Sequence, residues 1–238
     1  MAARSLRRNL GAATAALALL TASAGPGHAQ GQAAVYDPQP PPDSAYVRFV
    51  NALGEDLQLR PAFLPAQRLG TKPEERVTSF GVAQRVTGGR EMVVEASAGS
   101  RTGRAALKFE PGSFNTIIVQ AQGNSLVMKP VVDQADFNRA RSRLSFYNAT
   151  PDCASASAVL APNGPAVLEQ VAPGTAKARS VNPVTADIRA DCAPGQSAPT
   201  FKLSGLEAGG MYSIWLMRPD GRNLISFISR DTTARWRG

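Results

Sequence analysis

The sequence contains an internal repeat, and this feature constrains the fold of the chain more than any other. Residues 45–52 (AYVRFVNA) align with residues 142–149 (SRLSFYNA), which follow 97 positions later. The same offset places residues 109–119 (FEPGSFNTIIV) on residues 206–216 (LEAGGMYSIWL), and an offset of 98 places residues 123–127 (GNSLV) on residues 221–225 (GRNLI). Similarity at one spacing predicts two copies of a single structural unit.

Each copy has the sequence pattern of β structure. Short runs rich in β-branched and aromatic residues are bounded by Gly, Pro, Asn or Ser, which is typical of strands and turns. In the first copy these runs cover residues 45–51, 91–95, 104–109, 114–120 and 125–128. A sustained helical period is missing, and the one short helix we expect is a connector near residues 135–141. We therefore predict an all-β fold of two tandem immunoglobulin-like β-sandwich domains.

The sequence also predicts how the chain is divided. Residues 1–29 have the pattern of a cleaved secretion signal peptide, because three arginines precede an uncharged apolar run at residues 10–24 and small residues follow at 27–29. The apolar run is shorter than the ~20 residues that a membrane-spanning helix needs. We expect cleavage after Ala29 and a soluble periplasmic protein. An extended Pro-rich leader then covers residues 30–44, an N-terminal sandwich residues 45–138 and a C-terminal sandwich residues 139–238.

Three shorter patterns predict local structure within the copies. Glu-x-Gly occurs at residues 110–112 and 207–209, where it predicts a tight turn into a central strand. Residues 56–89 contain several prolines and isolated charges, and we expect an irregular binding loop or a simple elaboration there. Residues 178–189 alternate apolar positions around Asn182-Pro183, which predicts an edge strand interrupted by the proline.

The histidine content excludes many catalytic mechanisms. The single histidine, His28, lies in the predicted signal peptide, so the mature chain has no imidazole for a Ser/His/Asp or Cys/His triad or for a His-containing metal site. The sequence also lacks a nucleophile elbow, a phosphate-binding glycine loop and a calcium loop. We therefore predict no catalytic, cofactor-binding or metal-binding residues, and a protein that is not an enzyme.

The two cysteines are predicted to have a structural role. Cys153 and Cys192 both lie in the mature chain, and an exported protein meets an oxidising compartment in which disulfides form. Their spacing is not C-x-x-C and no histidine is present to activate a thiolate, which argues against a redox or catalytic pair. We predict a disulfide that stabilises the C-terminal half. Asn148 starts a glycosylation sequon, but its place in a repeated strand favours a structural role.

The charged residues of the mature chain supply the remaining candidates for contact with a polymer or a partner protein. Removing the signal peptide removes three arginines and no acidic residue, which lowers the formal net charge from +8 to +5. The candidate polymer or partner contacts are Arg139, Arg141 and Arg143 at the domain junction and Arg235, Trp236 and Arg237 in the C-terminal tail. They could bind an anionic polymer or a carboxylate-bearing partner, and the alternative is a solvated linker and a frayed tail. Nucleic acid is disfavoured as a partner, since no basic patch interleaved with aromatic residues is visible.

The beginning of the mature chain resembles a known family. Residues 35–38 (VYDP) and 42–52 (PDSAYVRFVNA) resemble the opening of the AlgF family of periplasmic alginate biosynthesis proteins, and residues 181–184 (VNPV) give a second match. The resemblance implies an exported, non-catalytic accessory protein. Such a protein works with a membrane-bound O-acyltransferase and a periplasmic acetyltransferase in the O-acetylation of a secreted exopolysaccharide. The long 56–89 region and the cysteine pair depart from the family, which leaves the polymer open between alginate, cellulose and another.

Two functional hypotheses of different classes follow. The first is a periplasmic adaptor that links the acetylation enzymes to one another and to the polymer. The alternative is a periplasmic carbohydrate-binding module that holds an anionic polysaccharide through arginines and exposed aromatic residues such as Trp236. Neither hypothesis requires a cofactor.

Overall fold

The structure is a computed structural model, and it describes residues 40–134, 138–193 and 195–234. The predicted signal peptide, most of the leader and the predicted contacts Arg235, Trp236 and Arg237 lie outside the described residues. In the first copy the strands are β1 (Ser44–Asn51), β2 (Leu57–Pro61), β3 (Gln67–Leu69), β4 (Gly81–Gln84), β5 (Met92–Ala98), β6 (Arg101–Leu107), β7 (Phe114–Gln122) and β8 (Ser125–Asp133). In the second copy they are β9 (Ser142–Ala149), β10 (Ala156–Leu160), β11 (Ala166–Val171), β12 (Ala176–Val181), β13 (Ala186–Cys192), β14 (Gln196–Ser197), β15 (Phe201–Leu203), β16 (Met211–Met217) and β17 (Ile225–Arg230).

The two copies have the same strand order, which confirms the repeat. The order is β4-β1-β7-β8 in the first copy and β12-β9-β16-β17 in the second. In both copies the first strand pairs in parallel with the central one, and the partners Tyr46 and Phe114 become Arg143 and Met211 at the offset of 97. The following strands, β8 and β17, pair antiparallel with the central strands and are related by 98 residues, as the sequence alignment predicts.

A second sheet covers one face of each repeated sheet and completes a β-sandwich. Its strand order is β3-β2-β5-β6 in the first copy and β11-β10-β13-β14 in the second, where β15 also pairs with β13. In the first copy one parallel contact, between Thr102 and Ser125, joins the two sheets into an eight-stranded sheet. Each sandwich encloses its own hydrophobic core, the first around Phe49 and Ile117 and the second around Phe146 and Ile214. The predicted all-β sandwich fold is therefore confirmed.

The central strands are buried on both faces. All residues of β1 and β9 are buried, as are the first seven of β7 and the last six of β16. One face of each strand packs on the core of its own sandwich. The other face belongs to a third apolar cluster that draws on both copies: Val50, Ala52, Ile118, Val131, Tyr147, Ala149, Trp215, Met217 and Phe227. The two repeated sheets thus pack face to face, and the described chain is a stack of four β layers.

Most local predictions are confirmed. The predicted strand runs of the first copy correspond to β1, β5, β6, β7 and β8. Both Glu-x-Gly turns contain a glycine in the left-handed region, Gly112 at φ 79° and Gly209 at φ 75°, directly before the central strand. The predicted edge strand at residues 178–189 is confirmed in its first part only: β12 borders its sheet and the chain leaves it at Asn182-Pro183, whereas residues 186–189 belong to β13, an interior strand of the second sheet.

Two local predictions are wrong. The irregular region at residues 56–89 contains β2, β3 and β4 and a 3-10 turn, Pro73–Glu75. These strands have three to five residues each, so their alternating pattern is too short to stand out among the prolines. The expected connector helix is also wrong where the structure describes it: residues 138–141 form a turn, in which the Arg141 amide donates to the Asn138 carbonyl oxygen at 3.2 Å. Residues 135–137 lie outside the described part of the chain.

The predicted disulfide is present. Cys153 and Cys192 are bonded, with their Cα atoms 5.5 Å apart, and both are buried in the core of the second sandwich. Asn148 is fully buried, so the sequon does not present a glycosylation site. Among the described residues, no helix has the length and apolar character to cross a membrane.

Candidate functional site

A buried arginine lies between the two sandwiches. Arg48, in the middle of β1, is only 1% exposed and points away from the core of its own sandwich, toward the second copy. An unpaired charge at such a depth would be strongly unfavourable. The two sandwiches can therefore stay packed only if neighbouring residues pair with this buried charge.

Arg48 is hydrogen-bonded by residues of both copies. Its Nε donates to Thr116 Oγ1 at 2.8 Å, and Nη1 donates to Asp231 Oδ1 at 2.5 Å. Its Nη2 donates to Tyr147 OH and to Ser213 Oγ, both at 2.9 Å. Each of the three guanidinium nitrogens thus has a partner, and three of the four acceptors come from the second copy. Charge-assisted hydrogen bonds of this kind are stronger than neutral ones.

A second carboxylate completes this set, which we call the Arg48 network: Arg48, Thr116, Asp133, Tyr147, Ser213 and Asp231. Tyr147 OH donates to Asp133 Oδ1 at 2.6 Å, and Thr116 Oγ1 donates to Asp133 Oδ2 at 2.7 Å. Ser213 Oγ donates to Asp231 Oδ2 at 2.8 Å. The network therefore holds one cation and two carboxyl groups between the two repeated sheets.

Four members of the network follow the repeat, and the other two, Arg48 and Tyr147, do not. Thr116 corresponds to Ser213 at the offset of 97, and Asp133 corresponds to Asp231 at 98. Each hydroxyl donates to the carboxylate of its own copy. The residue that corresponds to Arg48 is Ser145, which carries no charge. One arginine thus supplies the positive charge next to two equivalent acidic residues, Asp133 and Asp231.

Aromatic rings enclose the guanidinium. Its carbon lies 4.4 Å from the ring centroid of Phe80, 5.1 Å from that of Trp215 and 5.3 Å from that of Tyr147. Tyr147 and Trp215 stack on each other with centroids 4.2 Å apart. Cation–π attraction is strongest where water is excluded, so these rings add to the stabilisation by hydrogen bonds.

Burial shifts the proton equilibria of the Arg48 network. Burial alone would lower the pKa of Arg48, but the carboxylate of Asp231 and its other acidic neighbours raise it, so the guanidinium stays charged. Burial raises the pKa of Tyr147, which keeps its hydroxyl as a neutral donor. Burial also raises the pKa of Asp133, against the opposing effects of Arg48 and of its two hydroxyl donors.

The chain after β17 adds a backbone connection between the copies. The Phe80 amide donates to the Thr232 carbonyl oxygen at 2.8 Å, and the Ala234 amide donates to the Phe80 carbonyl oxygen at 2.7 Å. Ser79 Oγ and Thr232 Oγ1 are also hydrogen-bonded, at 2.7 Å. Because this segment begins at Asp231, it also carries the carboxylate that pairs with Arg48.

An open groove lies at one end of the interface between the sandwiches, and we call it the junction groove. Its volume is about 610 Å³, and both copies contribute to its walls. The lining residues are Ala52, Gly54, Glu55, Arg101, Gln120, Ala121, Ala149, Pro151, Asp152, Arg218, Pro219, Asp220 and Gly221. At the base the copies meet closely: Gln120 Nε2 donates to the Ala149 carbonyl oxygen at 2.8 Å, and a Cβ on Gly54 would lie 3.3 Å from the Pro219 carbonyl oxygen.

Two equivalent asparagines shape the loops at this groove. Asn51 Oδ1 accepts from the Leu53 amide, and its Nδ2 donates to the carbonyl oxygens of Glu55 and Gly70, each at 2.9 Å. Asn148, its counterpart at the offset of 97, repeats the pattern with the Thr150 amide and the carbonyl oxygens of Cys153 and Val171. The loops after β1 and β9 therefore have the same kind of internal support.

Each of these loops presents an acid paired with an arginine. Glu55 and Asp152 correspond at the offset of 97. Glu55 accepts from Arg101, including a bond from Nε at 3.1 Å, and Asp152 accepts from Arg218 Nη1 at 2.7 Å. Arg218 Nη2 also donates to the side-chain oxygen of Gln196. The walls of the groove thus carry two acid–arginine pairs, one from each copy.

A third acid lies on the β16–β17 turn of the groove. The Asp220 carboxylate accepts from the backbone amides of Asn223 and Arg222, at 2.8 and 2.9 Å. These hydrogen bonds lower the pKa of Asp220 to about 2, so it is ionised at neutral pH.

Three of the predicted contact residues, Arg139, Arg141 and Arg143, lie in the described part of the chain, and they are not part of this groove. Arg139 and Arg141 are exposed on the turn before β9, where the Arg141 carbonyl oxygen accepts from the Gly209 amide. Arg143 is buried, with 7% of its surface exposed, and therefore offers little area to a polymer. Among the described residues, no group of three or more His, Cys, Asp or Glu side chains is arranged to hold a metal ion.

The sequence predictions missed Arg48 and the lining of the junction groove. A signal for Arg48 existed, because an arginine stands inside the apolar run YVRFV where the second copy has serine. No comparable signal marks Arg101, the first residue of β6, or Arg218, which directly follows β16.

Comparisons with known proteins do not identify a family. No protein-family model matches the chain, and no curated protein matches it. Among solved structures it is similar to CBMbc, a family CBM26 module of Amy13K from Eubacterium rectale, crystallised in complex with maltoheptaose. The identity is 7%, the TM-score is 0.22, and the match covers 81% of this chain and 98% of that one. These values support no inference about function, and the resemblance to the AlgF family stays a prediction from the sequence.

Proposed function

We propose that the protein is a non-catalytic periplasmic adaptor in the O-acetylation of a secreted exopolysaccharide, alginate or similar. In this role it binds a periplasmic acetyltransferase and a membrane-bound O-acyltransferase and holds them near the polymer. The observation that carries the proposal is the buried interface between the sandwiches, where the Arg48 network joins residues of both copies.

A fixed interface suits an adaptor for a physical reason. Two domains on a flexible linker sample many separations, which lowers the effective concentration of one bound partner near the other. Here a central apolar cluster and a fully partnered arginine hold the two sandwiches in one arrangement. Partners bound to different sandwiches would then keep a constant spacing.

The charged side chains on the edge strand β12 favour partner binding through loops and sheet faces over addition of a partner strand to this edge. It carries Lys177 and Arg179, which donate to the carbonyl oxygens of Glu169 and Val167 on β11, at 3.0 and 2.9 Å. Charged side chains on an edge strand oppose pairing with a strand of another protein.

The choice of pathway rests on the sequence. Residues 35–38 and 42–52 resemble the opening of the AlgF family, and the mature chain lacks histidine once the predicted signal peptide is removed. Both features favour an exported accessory protein over a hydrolase with a histidine-dependent nucleophile.

Deleting the gene in its host tests the adaptor role. We expect the secreted polymer to lose its O-acetyl groups, as measured by NMR of the purified polymer, while polymer synthesis continues. Complementation with the wild-type gene should restore acetylation, and the purified protein should not turn over acetyl esters. Unchanged acetylation in the deletion strain, or ester turnover by the pure protein, would refute the proposal.

The second candidate function is binding of an anionic polysaccharide. It is favoured by Arg139 and Arg141, which are both exposed beside the predicted domain boundary. Stacking on aromatic rings receives no support from the described surface, where every aromatic side chain is buried or half-buried. Titration with oligo-uronates at low and raised salt tests this function, because binding through arginines should be saturable and should weaken with salt.

A further inference from the structure

The junction groove has the dimensions and polarity of a ligand site. Its volume of about 610 Å³ falls within the roughly 300–1,000 Å³ range of small-molecule pockets. It exists only where the two sandwiches meet, since Glu55 and Arg101 come from the first copy and Asp152 and Arg218 from the second. A ligand bound there would contact both copies.

The polar side chains of the groove include both donors and acceptors. Arg101 and Arg218 supply guanidinium N–H groups, while Glu55, Asp152 and Asp220 supply carboxylate oxygens. Alanine, proline and glycine account for most of the other lining positions and leave room for a ligand to approach. A sugar hydroxyl both donates and accepts a hydrogen bond, so a polyhydroxylated ligand matches such a surface.

The repeat suggests a ligand that is itself repetitive. Glu55 and Asp152 are equivalent positions of the two copies, and each is paired with an arginine. Their side chains are 35% and 56% exposed, so both carboxylates remain accessible from the groove. A chain of identical units can present the same hydroxyl pattern to each pair.

The net charge of the groove determines whether a charged or an uncharged sugar chain is favoured. Two arginines and three carboxylates give the lining a net charge of −1. The low pKa of Asp220, near 2, keeps that carboxylate ionised at neutral pH. A polyuronate would bring a further negative charge with every unit and meet like charges, whereas an uncharged sugar chain would not.

We propose that the junction groove binds a short segment of an uncharged, linear polysaccharide. This inference rests on the proposed adaptor function and deepens it, because it places the polymer between the two sandwiches. Among the polymers that the sequence left open, it favours an uncharged one such as cellulose over the polyuronate alginate.

Binding measurements on the mature protein test the proposal. The probes are cellohexaose, maltohexaose and mannohexaose, with a hexamannuronate as the charged comparison, each titrated by ligand-observed NMR at low and raised salt. We expect saturable binding of at least one neutral probe, with little dependence on salt, and weaker binding of the uronate.

Two groove variants and a matched control locate the site. R101A and D152A each remove one member of a partly exposed acid–arginine pair, and we expect either to weaken binding about tenfold or more, the size expected for a lost charged hydrogen-bonding partner. E207A removes one member of another acid–arginine pair, with Arg230, which is more exposed and lies outside the groove, and it should leave binding unchanged. Tryptophan fluorescence and thermal melts would verify that all three variants fold.

Several results would overturn the proposal. These are the absence of saturable binding to every neutral probe, equal affinities in both groove variants and the wild type, or tighter binding of the uronate. Loss of a protein partner in R101A and D152A, without any sugar binding, would assign the groove to a protein interface instead. None of these results depends on acetylation in the deletion strain, so failure of the groove proposal can be distinguished from failure of the adaptor function.

Discussion

Replacing Arg48 with methionine tests whether the Arg48 network holds the two sandwiches together. Methionine fills much of the volume of the arginine stem but removes all four guanidinium hydrogen bonds. Asp231, whose side chain is 7% exposed, then loses its cation and stays in the interface. Leaving one member of a buried ion pair behind costs about 3–5 kcal/mol.

This cost is large for a chain of this size. We expect R48M to lower the free energy of unfolding by about 3–5 kcal/mol, and each kcal/mol lowers Tm by roughly 2–4 °C in a protein of this length. Urea unfolding with the disulfide intact would measure this loss of unfolding free energy, with circular dichroism and tryptophan fluorescence as the two signals. Trp215 is a direct reporter, because its ring centroid lies 5.1 Å from the Arg48 guanidinium.

A double-mutant cycle separates the ion pair from general packing effects. In the cycle R48M, D231N and the double variant are compared with the wild type, and we expect a coupling energy of about 2 kcal/mol or more between positions in direct contact. R68M is the control, since Arg68 forms an exposed pair with Asp56 and its loss should leave stability nearly unchanged. A loss in R48M of no more than about 1 kcal/mol, the range of surface pairs, would refute the reasoning.

Three further predictions concern stability. Replacing Cys153 and Cys192 together with alanine should lower the free energy of unfolding by about 2–4 kcal/mol, because the disulfide closes a loop of 39 residues; unchanged urea midpoints would contradict this. N148A should cost about 1–3 kcal/mol for each buried group left without a partner, and a thermal melt equal to that of the wild type would count against it. Burial raises the pKa of Asp133. The stabilisation by its protonated carboxyl group is therefore present below the ordinary pKa of 3.8 and is lost as pH rises through the raised pKa of the folded protein. Urea midpoints measured between about pH 4 and 8 should show this loss in the wild type and not in D133N.

The repeat explains why so much of the fold could be predicted. Strands β1 and β7 pair in the same register as β9 and β16, and the one-residue difference at β8 and β17 was already visible in the alignment. Tight turns at Gly112 and Gly209 follow from a local rule, because a positive φ favours glycine. The short strands β2, β3 and β4 escaped prediction, since so few residues carry little periodic signal.

The candidate site was much less predictable. The arginine clusters proposed from the sequence were chosen because their members are close along the chain, and Arg143 proved to be buried. The residues that meet in the junction groove are far apart: Arg101 lies on β6 and Arg218 directly follows β16. Their proximity depends on packing between the copies, which no local pattern encodes.

By itself the sequence determined the β class, the two copies and the turns, because each depends on local conformational preferences or on the repeat. It also determined the disulfide, because the chain has only two cysteines. Only the tertiary structure decided which face of each repeated sheet would be covered by the other copy. That outcome depends on long-range complementarity: an arginine in one copy faces a serine, a tyrosine and a carboxylate of the other, and burial is favourable only when all of them meet. The junction groove is a consequence of this packing, and so is the binding site that we propose within it.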